Sequence, residues 1–178
     1  REKKVPYLGL CYGMQLAAVE YARHVVRLTN ANSTECDPET AYPIIHLIPN
    51  QKEKMERRAY GGTMRLGTWQ CKVKTGTRAF ETYRAQGSFI TDHIVNERHR
   101  HRYEFNDEYT QQIEERGLVI SGRSVIENLV EIIELPNSVH PFFLGTQFHP
   151  EYKSRPLTPH PIFLAFIEAC AGAQKLIK

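Results

Sequence analysis

A tight turn near the start of the chain, GLCYG (9–13), constrains the fold more than any other feature. It separates an apolar run, VPYLGL (5–10), from residues 13–27, which contain no proline and carry apolar side chains at helical spacing. Gly9 and Gly13 permit a strained change of direction and a close approach of other groups. The pattern therefore predicts a strand, a sharp turn and a helix, with Cys11 at the apex as in nucleophile elbows.

Cys11 has two readings at this turn. A cysteine there faces the N-terminus of the helix, whose dipole and free N–H groups lower the pKa of a thiol and stabilise the thiolate. Alternatively, Cys11 is a small buried hydrophobic residue, the commonest fate of a free cysteine. The turn alone leaves both readings open.

A nucleophilic thiol needs a base, and the base needs a group that orients it. The stretch GTQFHPEY places His149 two residues before Glu151, so on an extended backbone both side chains leave on the same side. A carboxylate in that position fixes the tautomer of the imidazole and supports its positive charge. Five of the other seven histidines lack a carboxylate two residues later in the chain; these are His46, His93, His99, His101 and His160. Of the remaining two, His24 falls on a helix face and His140 in a loop.

The rest of the chain predicts an α/β domain. Residues 29–43 are polar and predict a loop, residues 44–48 form a short apolar piece, and residues 49–62 predict a mobile surface loop. Alternation predicts a strand within 63–75, and Asn106 and Gly117 frame a helix at 107–116. Further strands are predicted within 118–124, 129–135 and 142–148, and a closing helix within 159–177.

Composition excludes several classes of protein. A net charge of +3 is too small to indicate a nucleic-acid or membrane partner, and the basic stretch RHRHR (98–102) has no interleaved aromatic residues for stacking bases. No apolar run approaches the roughly 20 residues of a membrane span, and the first residues lack the features of a signal peptide. We expect a cytoplasmic protein.

The four cysteines are far apart in the sequence and form no C-x-x-C pair. This spacing indicates neither a disulfide framework nor a zinc site, so we expect free thiols and no metal in the chain. The cysteines are Cys11, Cys36, Cys71 and Cys170.

Five stretches together resemble a known family. PYLGLCYGMQ and QFHPEY are similar to the two signature blocks of class I glutamine amidotransferases. NANSTE, GGTMRLG and ERHRHRYEFN resemble blocks of the glutaminase domain in the CTP synthase family. The five occur in the family's order over nearly the whole chain, whereas either signature block alone would indicate only the superfamily.

The resemblance implies a flavodoxin-like α/β fold with a central, mostly parallel sheet, a nucleophile elbow and helices on both faces. Residues 1–178 would be a partial glutaminase domain, since the family's domain begins well upstream of the nucleophile strand. That upstream part carries further strands and a second oxyanion donor, whose loss typically costs about 10²- to 10³-fold in rate. We therefore expect an active parent protein and a weak or inactive isolated fragment.

The resemblance also implies the chemistry. Cys11, His149 and Glu151 would form a triad that hydrolyses L-glutamine, with the backbone N–H of Tyr12 as an oxyanion donor. Ammonia would pass to a synthetase domain, absent from this chain, that aminates UTP using ATP and Mg²⁺. The parent would be a homotetramer activated by GTP.

Substrate-binding positions carry over from the same blocks. Glu35 matches the residue at the α-ammonium of glutamine and Arg102 the residue at its α-carboxylate, so the two charges of the amino acid would each have a partner. The glutamine-contacting segment after the nucleophile corresponds to Tyr12, Gly13, Met14 and Gln15. GGTMRLG would form a lid over the site, made of Gly61, Gly62, Thr63, Met64, Arg65, Leu66 and Gly67.

Two alternatives stay open. The chain could be the glutaminase of another ammonia-using ligase, such as carbamoyl phosphate or anthranilate synthase, although NANSTE and RHRHRYE argue against this. It could also be a non-catalytic regulatory module with the same fold. The presence of Cys11, His149 and Glu151 argues against that reading.

Overall fold

A six-stranded sheet forms the centre of the computed structural model, which describes residues 1–47 and 64–174. In spatial order its strands are β1 (Tyr7–Leu10), β9 (Phe143–Thr146), β8 (Val130–Glu134), β7 (Val119–Ser124), β4 (Arg65–Val73) and β5 (Ile94–His101). A second sheet contains β2 (Ala31–Ser33), β3 (Tyr42–Leu47) and β6 (Tyr103–Phe105).

Four α-helices accompany the sheets in the described residues. They are α1 (Tyr12–Tyr21), which continues as a π-helical turn (Ala22–Val26), α2 (Arg78–Ala85), α3 (Thr110–Glu114) and α4 (Pro161–Gln174). Short 3₁₀ turns cover Asp107–Tyr109 and Pro150–Tyr152. No helix of the described residues is long and apolar enough to cross a membrane.

The helices lie on both faces of the larger sheet, as predicted. Side chains alternate along β8 and β9, so Ile133 and Phe143 join the core that contains α1. Their neighbours Ile132 and Leu144 join the core that contains α2 and α4. The sheet is therefore buried on both sides and holds its strand ends in fixed positions.

The prediction of a mostly parallel sheet is wrong for the described residues. β1 and β9 run parallel, but the other neighbouring pairs of the larger sheet, β9–β8, β8–β7, β7–β4 and β4–β5, are antiparallel. A parallel connection needs a dozen or more residues, and only residues 125–129 separate β7 from β8. Such a short link permits only a hairpin.

Most predicted elements are confirmed. β1, α1, β4, β7, β8, β9 and α4 lie where the patterns place them. The helix predicted at 107–116 is a 3₁₀ turn followed by α3. The Asn106 side chain caps it by accepting a hydrogen bond from the Glu108 N–H (3.2 Å), and Gly117 follows at φ 100°. The mobile loop predicted at 49–62 lies outside the described residues.

Several elements were not predicted from the sequence. β2 and the start of β3 lie within the segment expected to be loop, and the rest of β3 was described only as a short apolar piece. α2, β5 and β6 were missed. In β5 the RHRHR stretch alternates, with His99 and His101 buried and Arg98 and Arg100 exposed. A run that looks basic in sequence is therefore a strand with neutral and charged faces.

Candidate active site

The Cys11 turn has the strained geometry expected of an elbow. Cys11 follows β1 directly and adopts φ 49° and ψ −103°, a conformation that L-residues rarely adopt. Its N–H donates a 2.6 Å hydrogen bond to the Thr146 carbonyl at the end of β9. A Cβ at Gly9 would lie 2.7 Å from the Gly13 carbonyl carbon, so only glycine fits there.

The thiol of Cys11 is half-buried, and its pKa differs from the sequence prediction. Burial raises this pKa above the ordinary value, and the Glu151 and Glu35 carboxylates raise it further. Hydrogen bonds from the Tyr12 N–H and the Gln147 amide act in the opposite direction but do not outweigh burial. The predicted lowering is therefore wrong, and a thiolate here requires a proton acceptor.

His149 and Glu151 form the predicted pair. The imidazole Nδ1 lies 2.6 Å from Glu151 Oε1, so Nδ1 donates to the carboxylate and Nε2 is left to accept a proton. Nε2 is buried and has no hydrogen-bond partner among the described residues. The ring stacks on Tyr152 with centroids 4.8 Å apart, and the His149 N–H donates to the Arg98 carbonyl at 2.8 Å.

The parallel pair of strands explains why these groups meet. Leu10 of β1 lies beside Thr146 of β9, so Cys11 and the segment starting at Gln147 leave the sheet at the same edge. The carboxyl ends of neighbouring parallel strands are where α/β folds place their sites.

A cavity of about 560 Å³ lies at this edge. It is lined by six residues of the predicted site, Cys11, Tyr12, Gln15, Glu35, Arg102 and Met64. Glu35 is exposed on the turn after β2, and Arg102 lies between β5 and β6. The cavity therefore offers groups of both charges to one ligand.

Gly13 and Met14 both have contacts that support the fold. The Gly13 carbonyl accepts a hydrogen bond from the Tyr7 hydroxyl at 2.8 Å. The Met14 side chain is fully buried and packs close to the position that a Cβ at Gly145 would occupy. The Met14 side chain is therefore part of the core, and only its backbone is available for the predicted contact with glutamine.

The predicted lid is only partly described. Gly61, Gly62 and Thr63 lie outside the described residues, and Met64 lines the cavity. Arg65, Leu66 and Gly67 belong to β4 and pair with β5. The Arg65 guanidinium is buried and ion-paired with Glu131, so a lid over 65–67 is wrong.

Sequence reasoning missed four residues of the site. Arg100, His101 and Tyr103 line the cavity, and the amide of the buried Gln147 contacts Cys11 Sγ at 3.6 Å. The strand alternation of RHRHRY and the position of Gln147 directly after a parallel strand would have indicated them.

Two buried histidines support the cavity wall. His101 Nδ1 lies 2.9 Å from the Tyr103 carbonyl, which can only accept, so Nδ1 carries the proton. His101 Nε2 therefore accepts from His99 Nδ1 at 3.0 Å. Burial lowers the pKa of His101 to about 3, which agrees with a neutral ring whose two nitrogens are both used.

Comparison with known proteins places the chain in a family. The family model "Glutamine amidotransferase class-I" matches residues 1–169. A CTP synthase from Caldanaerobacter subterraneus subsp. tengcongensis is 57% identical over 169 residues, which are 95% of this chain and 29% of that protein. The Bacillus subtilis CTP synthase is 53% identical over 173 residues, 97% of this chain and 30% of that protein. The chain thus spans about 30% of the length of these relatives.

Solved structures agree with the fold. The Trypanosoma brucei CTPS glutaminase domain with bound acivicin has a TM-score of 0.84 and 34% identity, covering 97% of this chain and 62% of that one. A putative GMP synthase protein from Thermoplasma acidophilum has a TM-score of 0.54 and 16% identity, covering 97% of this chain and 61% of that one, and supports the fold alone. Because the family model matches nearly the whole length of this chain, the chain belongs to the class I glutamine amidotransferase family.

Proposed function

We propose that the chain, as part of a longer parent protein, hydrolyses the side-chain amide of L-glutamine to glutamate and ammonia. One observation carries the proposal: a paired His149 and Glu151 leave the same sheet edge as Cys11, beside a cavity with both a carboxylate and a guanidinium. Such a reaction needs a nucleophilic thiol held at a tight turn, an oriented base, and a cavity that binds both charges of an amino acid.

The first half of the reaction forms a thioester. His149 Nε2 takes the thiol proton of Cys11, and the sulfur attacks the carboxamide carbon. The Tyr12 N–H, which favours the ionised sulfur, would stabilise the developing oxyanion. His149 then returns the proton to the leaving nitrogen, and ammonia departs.

The second half regenerates the enzyme. Water attacks the thioester carbon while His149 Nε2 accepts a proton from it, and the C–S bond breaks to release glutamate and the thiol. Glu151 stays ionised throughout and holds Nδ1–H, so that Nε2 always faces the reacting atoms. The raised pKa of Cys11 makes His149 necessary in the first step.

Substrate orientation follows from the charges of the cavity. Glu35 would bind the α-ammonium of glutamine and Arg102 its α-carboxylate, leaving the side-chain amide directed at Cys11. The Gln15 amide and the backbone of Gly13 and Met14 would complete the pocket.

We place the use of the ammonia in a longer protein. The CTP synthase relatives and the five sequence blocks support ATP-dependent amination of UTP by a linked synthetase domain. A homotetrameric parent and its activation by GTP rest on the resemblance of the sequence blocks alone. The described residues contain no group of three or more His, Cys, Asp or Glu side chains that could hold a metal ion. ATP and Mg²⁺ are assigned to the synthetase domain because of the resemblance.

Covalent labelling with a glutamine-mimicking diazoketone tests the glutaminase proposal. We expect label on the tryptic peptide 5–23, which contains Cys11 as its sole cysteine, and protection by excess glutamine. Cys36→Ser is the matched control, because Cys36 is exposed near the site and its sulfur lies 3.3 Å from the Tyr12 hydroxyl. Label that remains on Cys11 despite excess glutamine, or that falls on Cys36 instead, would contradict the proposal.

A further inference from the structure

The amide of Gln147 has a hydrogen-bond role that the triad does not use. Gln147 is 1% exposed and follows β9 directly. Its N–H donates to the Glu131 carbonyl at 2.8 Å, which fixes its backbone. Its side chain lies between Gln15 and Cys11.

The orientation of this amide follows from its neighbours. The Tyr103 carbonyl lies 2.9 Å from the Gln15 amide and can only accept, so Gln15 must present Nε2 to it. The same Nε2 lies 3.1 Å from the Gln147 side chain, which must therefore present Oε1. Gln147 Nε2 is then the atom that faces Cys11 Sγ at 3.6 Å.

An N–H donor at sulfur distinguishes the two protonation states of the thiol. A neutral thiol is a weak acceptor, whereas a hydrogen bond to an ionised acceptor is roughly twice as strong as a neutral one. The donor thus favours the form of Cys11 that attacks carbon, and also the sulfur anion that leaves when the thioester is hydrolysed.

Resting on the glutaminase function proposed above, we propose that Gln147 is a further catalytic residue whose amide N–H stabilises the sulfur anion of Cys11. Gln15 is a positioning residue, which holds that amide with its nitrogen toward the sulfur. The chain of contacts begins at the Tyr103 carbonyl, itself fixed by His101.

Several other charged and polar groups also affect the ionisation of the Cys11 sulfur. The carboxylates of Glu151 and Glu35 oppose its ionisation, and the Tyr12 N–H favours it. His149 supplies the base, and Arg100 and Arg102 line the cavity. All of these remain in place when only residue 147 or 15 is changed, so the shift between variants isolates the amide.

The test is the pH dependence of Cys11 alkylation by iodoacetamide in the 178-residue chain, followed on the tryptic peptide 5–23. In Gln147→Met we expect the midpoint to rise by about one pH unit, with about tenfold slower alkylation at neutral pH. The rates should converge at high pH, where every variant is fully ionised. Gln147→Glu should shift further because it adds a negative charge, and Gln15→Met should shift less.

Gln112→Met is the control, since Gln112 is exposed on α3 and its replacement should leave the profile unchanged. An unshifted midpoint in Gln147→Met, with native thermal melting, would overturn the proposal whatever the midpoint of Gln147→Glu. If both variants melt early, Gln15→Met decides: an upward shift supports the proposal and an unchanged profile overturns it.

Iodoacetamide does not need the glutamine pocket, so this result is separate from the diazoketone result. Glutamine-protected labelling with no shift in the Gln147 variants would overturn the role of Gln147 alone. A clear shift without glutamine protection would overturn glutamine as the substrate.

Discussion

The nucleophile and the base of the site are held by different means. Cys11 is fixed by backbone: a strained φ, a close approach of Gly9 to Gly13, and an N–H bond to the Thr146 carbonyl. The His149 ring is held by Glu151 and Tyr152, which are close in sequence, but the segment that follows it is held by side chains from distant parts of the chain. The comparison teaches that one half of a site can be coded locally while the other depends on the finished tertiary structure.

Glu97 on β5 is the centre of the contacts that hold the segment around His149, which we call the base side of the site. Its buried Oε1 accepts from the Tyr83 hydroxyl at 2.9 Å and from His160 Nε2 at 3.0 Å, and Lys153 Nζ lies 3.4 Å away. Lys153 and His160 are the first and last residues of the segment 153–160, which follows Glu151. Glu97 therefore holds both ends of that segment against the sheet. The adjacent Arg98 carbonyl accepts the His149 N–H.

The largest effect should come from Gly9→Ala, which disrupts the turn around Cys11, the nucleophile side of the site. A Cβ there would meet backbone atoms of Gly13 at 2.7 and 2.8 Å, which cannot move without opening the turn. We expect a loss of about 3 kcal/mol in the free energy of unfolding and no glutaminase activity. Urea denaturation and glutamate release measure the two.

Gly172→Ala is the matched control for that change. An added Cβ at Gly172 meets nothing within 4 Å, and the residue lies within α4. Alanine should therefore be neutral or stabilise by up to about 1 kcal/mol. Equal losses in the two variants would show that the turn has no special constraint.

A smaller effect should come from weakening the base side with Glu97→Gln. The amide keeps an acceptor oxygen but loses the charge that faces Lys153, and we expect about 2 kcal/mol lower stability. Glutamine hydrolysis should fall, while Cys11 alkylation at high pH should keep its rate because that reaction needs no base.

Glu81→Gln provides the comparison for that variant, since Glu81 is exposed and pairs with Arg84 on the surface. Its effect on stability should stay below about 1 kcal/mol. If Glu97→Gln slows high-pH alkylation as much as glutamine hydrolysis, the two halves of the site are not held separately.

A further effect should be a dependence of stability on pH that arises from a single buried carboxyl group near Tyr103. Burial raises the pKa of Glu104, next to Tyr103 on β6, to about 8. The folded chain then binds more protons than the unfolded chain, so this contribution to stability is present at acid pH and is lost as pH rises toward 8. The slope cannot exceed about 1.4 kcal/mol per pH unit for one proton.

Glu104→Gln should flatten this slope between about pH 5 and pH 8. Part of the slope should remain, because burial also raises the pKa of Glu131, to about 7. Denaturation midpoints measured across that range compare the two proteins. A slope that is identical with and without Glu104 would contradict the assignment.

The contrast between the two halves also explains what the sequence could predict. The elbow was predictable because Gly9, Cys11 and Gly13 are neighbours in sequence and their geometry is local. The pairing of His149 with Glu151 was predictable for the same reason. Glu97 was not, since its partners Tyr83, Lys153 and His160 come from three other segments.

Two of the wrong predictions share a physical reason. The helix N-terminus suggested a lowered pKa for Cys11, but burial depends on packing that no local pattern reports. Arg65 was assigned to a lid because its block resembles one in the family, yet its guanidinium is buried against Glu131. In both cases tertiary packing decides the outcome.

The rate of diazoketone labelling in His149→Ala near neutral pH tests most directly whether His149 generates the Cys11 thiolate. We expect labelling of peptide 5–23 to be slowed by about 10²-fold or more, with the rate largely restored at high pH, where the thiol ionises without a base. Labelling at the unmodified rate near neutral pH would contradict this role of His149, because Cys11 would then need no proton acceptor.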